Sequence, residues 1–305
     1  MGKIAFIFPG QGVQTVGMGK DFYDTYEVAR AVFDSANKAT KLDICNLCFE
    51  ENDKLNITEY TQVALLTTEV AILRVVEEMG IRPDYLAGLS LGEYGALAAA
   101  KVMSDDDLFK VIRKRGLYMQ EAYPAGGAMM AVLGLDVDTV SDVCGKVDGI
   151  CSIANDNCPG QIVITGEKDA VSKASKLLEQ NGAKRCVPLN VSGPFHSELL
   201  KGAGEQLAEV LVDININKPT IPYICNVLAD VVDDEADIKD LLQKQVYSPV
   251  RFRESILRLK ELGVTTFVEI GPGKTLAGFV KKTDKELQVI NIAKVEDLEK
   301  LATLA

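Results

Sequence analysis

Tryptophan is absent from the 305-residue chain, histidine occurs once, and only 6% of residues are aromatic. With a single imidazole, a histidine-rich metal centre has no material to form from. Basic residues are also in deficit: 33 Lys and Arg against 44 Asp and Glu leave a formal charge of −11. Nucleic-acid backbones and anionic membranes both draw surplus Lys and Arg, so neither is expected as a partner. Long apolar runs are missing as well. The run at 4–8 before Pro9 is too short for a signal-peptide centre, and no stretch nears the roughly 18 apolar residues of a membrane span, so a cytoplasmic protein is expected. The seven cysteines are odd in number and scattered, which fits reduced thiols better than a disulfide framework. Cys45-Asn-Leu-Cys48 is an isolated CxxC, read as two small apolar side chains rather than half of a metal site.

What is present is a globular composition, 47% hydrophobic, long enough for one large domain carrying a small one. Short β-rich runs alternate with amphipathic stretches, the pattern of a mainly parallel sheet covered by helices, and the fold class is α/β. A strand is expected at 4–8, a helix at 62–79 stopped by Gly80, and a short strand at 85–87 before a glycine turn. Ser104 and Asp107 have capping-box spacing at the start of a helix reaching about Glu121. From Gly126 the order becomes strand 128–133, helix 137–146, strands 150–154 and 161–165, helix 169–180, strand 184–189. That βαββαβ order is a ferredoxin-like unit, bounded by Pro124-Ala-Gly-Gly127 and Val191-Ser-Gly-Pro194. The predicted organisation is therefore a large domain of 1–124 and 192–305 with a small domain, 125–191, inserted. A helix at 198–212, a strand at 223–226, a helix at 252–262, a strand at 267–270 and another near Val289 complete the large domain.

Gly88-Leu-Ser90-Leu-Gly92 follows a strand and opens a small-residue helix, the context a G-x-S-x-G nucleophile elbow requires. A serine flanked by glycines also caps ordinary helices, so the elbow reading gains most from its strand-turn-helix setting. A serine nucleophile needs a base, and His196, the only histidine, is the one candidate. Lying where a helix begins, it is expected to be kept neutral by the helix dipole. No carboxylate to orient it stands in a distinctive motif. Pro9-Gly-Gln-Gly-Val-Gln14 follows the first strand but lacks the third glycine of a dinucleotide loop and the Lys-Ser/Thr of a phosphate loop. It reads better as a turn bringing backbone amides to an oxyanion.

Together with Arg115-Gly-Leu-Tyr-Met-Gln-Glu121, Asn155-Asp-Asn-Cys-Pro-Gly-Gln161, Gly193-Pro-Phe-His196, Gln245-Val-Tyr-Ser-Pro-Val-Arg251 and Glu269-Ile-Gly-Pro-Gly-Lys274, these segments resemble the malonyl-CoA:acyl-carrier-protein transacylase family over almost the whole chain. The resemblance implies a hydrolase-like large domain and an acyltransferase that moves malonyl from malonyl-CoA to the thiol of acyl carrier protein, with no cofactor beyond the CoA thioester. It implies Ser90 as nucleophile, His196 as base, the amides of Gln11 and Leu91 as oxyanion hole, and the main-chain carbonyl of Gln245 as the group orienting His196. Arg115 would pair with the malonyl carboxylate, and Phe195, Asn155 and Gln161 would line the substrate cleft, Phe195 favouring malonyl over a branched analogue. Leu89 and Phe252 depart from the histidine and tryptophan the family commonly has there, at positions that take no part in the chemistry.

Two other functions share these residues. A serine thioesterase or esterase has the same elbow and histidine but gives the acyl group to water; a non-catalytic acyl-CoA-binding or carrier-docking subunit would bind without forming an ester. An acidic carrier meeting an acidic chain needs local positive ground, for which Lys110, Arg113, Lys114, Lys184, Arg185, Arg251, Arg253, Lys281 and Lys282 are the available residues.

Overall fold

A computed structural model describes residues 2–191 and 193–304. Its strands are β1 (Lys3–Phe8), β2 (Tyr85–Gly88), β3 (Gly127–Leu133), β4 (Cys151–Cys158), β5 (Gln161–Glu167), β6 (Arg185–Pro188), β7 (Tyr223–Ile224), β8 (Val231–Val232), β9 (Val264–Ile270) and β10 (Gln288–Ile292). Its helices are α1 (Lys20–Thr25), α2 (Glu27–Thr40), α3 (Ile44–Phe49), α4 (Thr58–Glu78), α5 (Gly92–Ala99), α6 (Asp105–Ala122), α7 (Val137–Cys144), α8 (Lys168–Gln180), α9 (Lys201–Val212), α10 (Ile238–Gln245), α11 (Phe252–Glu261) and α12 (Thr275–Thr283).

The large sheet has the order β10-β9-β1-β2-β7-β8, parallel except for the β7–β8 hairpin. The apolar run expected at 4–8 becomes β1, in the middle of the sheet, where Ala5 to Phe8 are covered on both faces, as parallel strands require. Phe8 pairs with Gly88, so the carboxyl ends of β1 and β2 lie side by side and the loops after them meet. This is where ligands of open α/β sheets bind. Helix α4 starts four residues before the expected Gln62 and is buried at 16 of its 21 residues, which makes it a core element rather than an amphipathic cover.

The second sheet, β4-β5-β3-β6, is antiparallel throughout. With α7 and α8 it has the ferredoxin-like connectivity read from the sequence. Strand β4 runs to Cys158, four residues past the expected end, because the polar stretch Asn155-Asp-Asn pairs with β5 through two irregularities while Asn155 also bridges to Val250 of the large sheet's side. Tertiary pairing overrides a local sequence that looks like a turn. Of the junction residues at 191–194, Ser192 lies outside the described residues. The helix expected at 198–212 is broken: Glu198–Leu200 is a 3-10 turn and α9 begins at Lys201. Ser104 Oγ caps α6 by accepting from the Asp107 N–H, and the Asp107 carboxylate bonds the Ser104 hydroxyl rather than a backbone amide. Helices α1 to α3, α10 and α12 are not separately legible in the sequence. Three of them are only six or eight residues long and gain their form from packing.

Candidate active site

The turn after β2 holds Ser90 at φ 55°, the left-handed region that non-glycine residues rarely adopt. The flanking glycines serve another purpose than flexibility. A Cβ on Gly88 would lie 2.0 Å from the Gly92 backbone, and one on Gly92 would lie 2.0 Å from the Phe8 carbonyl oxygen. Their missing side chains let α5 fold back across β1 and β2, while the strain sits on the serine itself. Asn226, just past β7, clamps that strain: its Oδ1 accepts from Ser90 N–H at 2.6 Å and its Nδ2 donates to the Gly88 carbonyl at 2.6 Å.

Ser90 Oγ lies 2.7 Å from His196 Nε2. His196 is buried, also has a positive φ of 59°, and its Nδ1 sits 2.9 Å from the Gln245 carbonyl and 3.1 Å from that of Ser248. Both carbonyls only accept, so Nδ1 carries the proton and Nε2 faces the serine with its lone pair. The orienting group is thus backbone, which is why no carboxylate motif signals it. Burial, and after it the Arg115 charge, push the imidazole down to about 4, while the two carbonyls pull the other way. The expected helix-dipole cause is replaced by these two, since only a three-residue 3-10 turn follows His196.

Arg115 comes from the middle of α6 and is 1% exposed. Its Nη1 donates to Gln62 Oε1 at 2.7 Å, and its Nη2 to Gln245 Oε1 at 2.9 Å and to Ser90 Oγ at 3.2 Å. All three acceptors are uncharged, and no carboxylate pairs with Arg115 among the described residues. A buried guanidinium without a counter-ion has the chemistry to pair with an anionic group brought beside the Ser90 hydroxyl.

A cavity of about 160 Å³ opens over the serine, lined by Gln11, Leu89, Leu91, Asn155, Phe195 and His196 among others. Gln11 and Leu91, from the turns after β1 and β2, line this cavity together with Ser90. Gln161 does not reach the cavity. It begins β5 beside the β4–β5 turn, opposite Cys158 and two positions along the strand from Val163, the partner of Asn155, and its side chain accepts from Lys282 Nζ of α12 at 2.9 Å, which turns it to the surface rather than to the cavity. Leu89 lines the cavity, whereas Phe252 is buried against Phe279. Of the basic residues offered for docking, Arg113, Arg251 and Arg253 are held by Glu59, Glu254 and Asp156, and Lys184 and Arg185 are exposed.

Four further contributors escape sequence reasoning: Asn226, Gln62, the Gln245 side chain and Glu93. Glu93 is fully buried; its Oε2 accepts from Asn226 N–H at 3.0 Å and from Gln245 Nε2 at 2.8 Å. Burial raises its pKa to about 7, against those hydrogen bonds and the Arg115 charge. Only Glu93 had a signal, standing directly after the second glycine of the elbow.

Compared with known proteins, residues 5–303 match the acyl transferase domain family. The chain is 50% identical to the malonyl CoA-acyl carrier protein transacylase of Bacillus subtilis, over 98% of this chain and 96% of that protein. It is 42% identical to the protein of that name from Staphylococcus aureus, over 98% of each. Among solved structures, MCAT from Streptococcus pneumoniae superposes with a TM-score of 0.95 at 46% identity, covering 99% of this chain and 100% of that one. A malonyl-transacylase in complex with a type II PKS acyl-carrier protein superposes with a TM-score of 0.96 at 38% identity, covering 99% and 100%.

Proposed function

The chain belongs to the acyl transferase family, among the malonyl CoA-acyl carrier protein transacylases, and from that premise we propose that Ser90, His196 and Arg115 carry malonyl from CoA to acyl carrier protein through a malonyl ester on Ser90. The observation that carries the assignment is the 2.7 Å contact of Ser90 Oγ with an imidazole nitrogen whose ring is fixed by two carbonyls, with a buried, counter-ion-free guanidinium 3.2 Å from the same oxygen.

His196 Nε2 takes the Ser90 proton as Oγ attacks the thioester carbonyl, and the backbone amides of Gln11 and Leu91 hold the oxyanion. The C–S bond breaks, and His196 returns the proton to the departing CoA thiolate. In the second half the phosphopantetheine thiol of the carrier gives its proton to His196 and attacks the ester; the Ser90 oxygen leaves and takes that proton back. These steps call on no cofactor beyond the thioester. The malonyl carboxylate on Arg115 offsets the charge that helps depress His196, so binding the right acyl group makes the base stronger as the reaction starts. It also holds the ester for the longer thiol nucleophile rather than for water. Phe195, buried beside His196, crowds a methyl branch on the acyl carbon, and Asn155 lines the same cleft.

Residues 125–191 act as a small domain inserted between 1–124 and 192–305; the apolar cluster of Val132, Val140, Ile162, Ile164, Val171 and Leu178, separate from the main core, supports that division. No helix among the described residues is long and apolar enough to cross a membrane, and we place the enzyme in the cytoplasm.

The test mixes the protein with malonyl-CoA and a holo acyl carrier protein and follows both by intact mass. Malonylated carrier, and a malonyl adduct on Ser90 that is missing from Ser90→Ala, are expected. Free malonate as the main product would make the protein a thioesterase, and binding with no adduct would make it a docking subunit.

A further inference from the structure

We infer that Glu93 is a positioning residue that, through the side-chain amide of Gln245, sets Arg115 for a carboxylated acyl group. The inference deepens the malonyl-transfer reading and rests on it.

A primary amide has one end that accepts and one that only donates. The Gln245 amide meets three groups: Nε2 is 2.9 Å from the Ser90 carbonyl and 2.8 Å from Glu93 Oε2, and Oε1 is 2.9 Å from Arg115 Nη2. Ser90 O can only accept, Glu93 Oε2 is fixed as an accepting oxygen by the Asn226 N–H that also points at it, and the guanidinium can only donate, so one of the two amide orientations satisfies all three contacts. The other sets NH₂ against the guanidinium and oxygen against two oxygens. Gln245 is completely buried and water does not repair such a mismatch. Of the two acceptors that select the orientation, Glu93 is the one that can carry charge. It is itself held by the Asn226 N–H at 3.0 Å and has no exposed surface.

Apart from the reacting Ser90 Oγ, Arg115 hangs on two side-chain oxygens, those of Gln62 and Gln245. Losing the second lets the guanidinium turn about the first, away from the serine. An acyl group with a free carboxylate needs that guanidinium in place; an uncharged acyl group does not. Glu93 also reaches Ser90 through the Asn226 N–H and through the Gln245 amide on the Ser90 carbonyl, while His196 is held by two main-chain carbonyls; any loss by that route falls on every acyl donor alike, and the effect on Arg115 is the part that separates charged from uncharged donors.

The experiment compares kcat/KM for Ser90 acylation by malonyl-CoA with that by an uncharged donor, acetyl-CoA or 4-nitrophenyl acetate, in wild type, Glu93→Ala, Glu93→Gln, Gln245→Met and Glu93→Ala with Gln245→Met. Glu93→Ala is expected to lower the malonyl-to-acetyl ratio by about tenfold or more, the size of one charge-assisted hydrogen bond. Glu93→Gln, whose oxygen can occupy the same accepting position, recovers most of the ratio. Gln245→Met keeps the main-chain carbonyl on His196 and loses only the amide; it should reproduce the loss, and the double variant should add nothing further. Equal losses for both donors would mark Glu93 as merely structural and overturn the inference, as would an unchanged ratio or additive effects. Should Glu93→Ala fail to fold, Gln245→Met and Glu93→Gln decide by the same ratio. Absence of any malonyl adduct on wild-type Ser90 would instead defeat the functional reading, an outcome visible before any variant is made.

Discussion

Replacing Asn226 by Ala removes the two 2.6 Å bonds that hold the elbow, without touching Ser90, His196 or Arg115. Asn226 is 1% exposed, and Gly88, whose carbonyl it serves, is buried, so that oxygen loses its partner with no water to replace it. Ser90 is half-buried, and its N–H recovers part of its loss from solvent. At about 1–3 kcal/mol for each deprived buried group, the two together cost about 2–5 kcal/mol. The positive φ of Ser90 stores roughly 1–3 kcal/mol that relaxation gives back, which leaves a net loss of about 1–2 kcal/mol at the middle of the two ranges. At about 2–4 °C per kcal/mol, the melting temperature should fall by about 2–8 °C. Relaxation carries Oγ away from Nε2, and a displacement near 1 Å lowers the acylation rate about 100-fold. Calorimetry and the rate of Ser90 labelling measure the two effects. Asn226→Asp should give no rescue, because it keeps the acceptor, loses the donor and adds an anion next to Glu93. Melting within about 1 °C of wild type, with labelling at the wild-type rate, would refute the clamp.

Arg115→Ala should lower malonylation of Ser90 by about 100- to 1000-fold, the worth of a two-bond charge-assisted pair, and acetylation far less; similar losses with both donors would remove Arg115 as the carboxylate receptor. His196 is expected to make stability pH-dependent: its folded value near 4 lies below the ordinary 6.5, so its contribution of about 3 kcal/mol is fully present above pH 6.5 and disappears as pH falls toward 4. Glu93, raised to about 7, works in the opposite sense over an overlapping range, so the measurement is the unfolding free energy of wild type minus His196→Gln between pH 7 and 4; a flat difference contradicts the assignment. Gly92→Ala drives a methyl into the Phe8 carbonyl and should cost more than about 3 kcal/mol, whereas Gly278→Ala, in α12 with nothing within 4 Å, should add about 0.5–1 kcal/mol in urea unfolding. Charge reversal at exposed Lys184 and Arg185 should slow transfer to the carrier, most at low salt, and leave Ser90 malonylation unchanged; a salt-independent transfer rate in wild type would argue against electrostatic docking.

The amino-acid sequence alone determined the α/β class and the βαββαβ order of elements, and it singled out Ser90 and His196, which folding sets 2.7 Å apart. Those features are written in short-range patterns: a five-residue apolar run, alternation of periods, glycines two residues either side of a serine, and a histidine with no competitor. Sequence could also name the Gln245 carbonyl, but only through family resemblance, because a backbone group has no residue type to reveal it. The tertiary structure decided what stands behind the site. Asn226 and Gln245 meet Ser90 from 136 and 155 residues away, and Gln62 meets Arg115 across 53. Amides and carboxylates are common on surfaces, and these become positioning groups only when folding excludes water and leaves their donors none but protein acceptors. The same burial moved His196 downward by a route no local pattern encodes, and Gln161, at the β4–β5 turn, was taken up by Lys282 of α12 instead of the cavity.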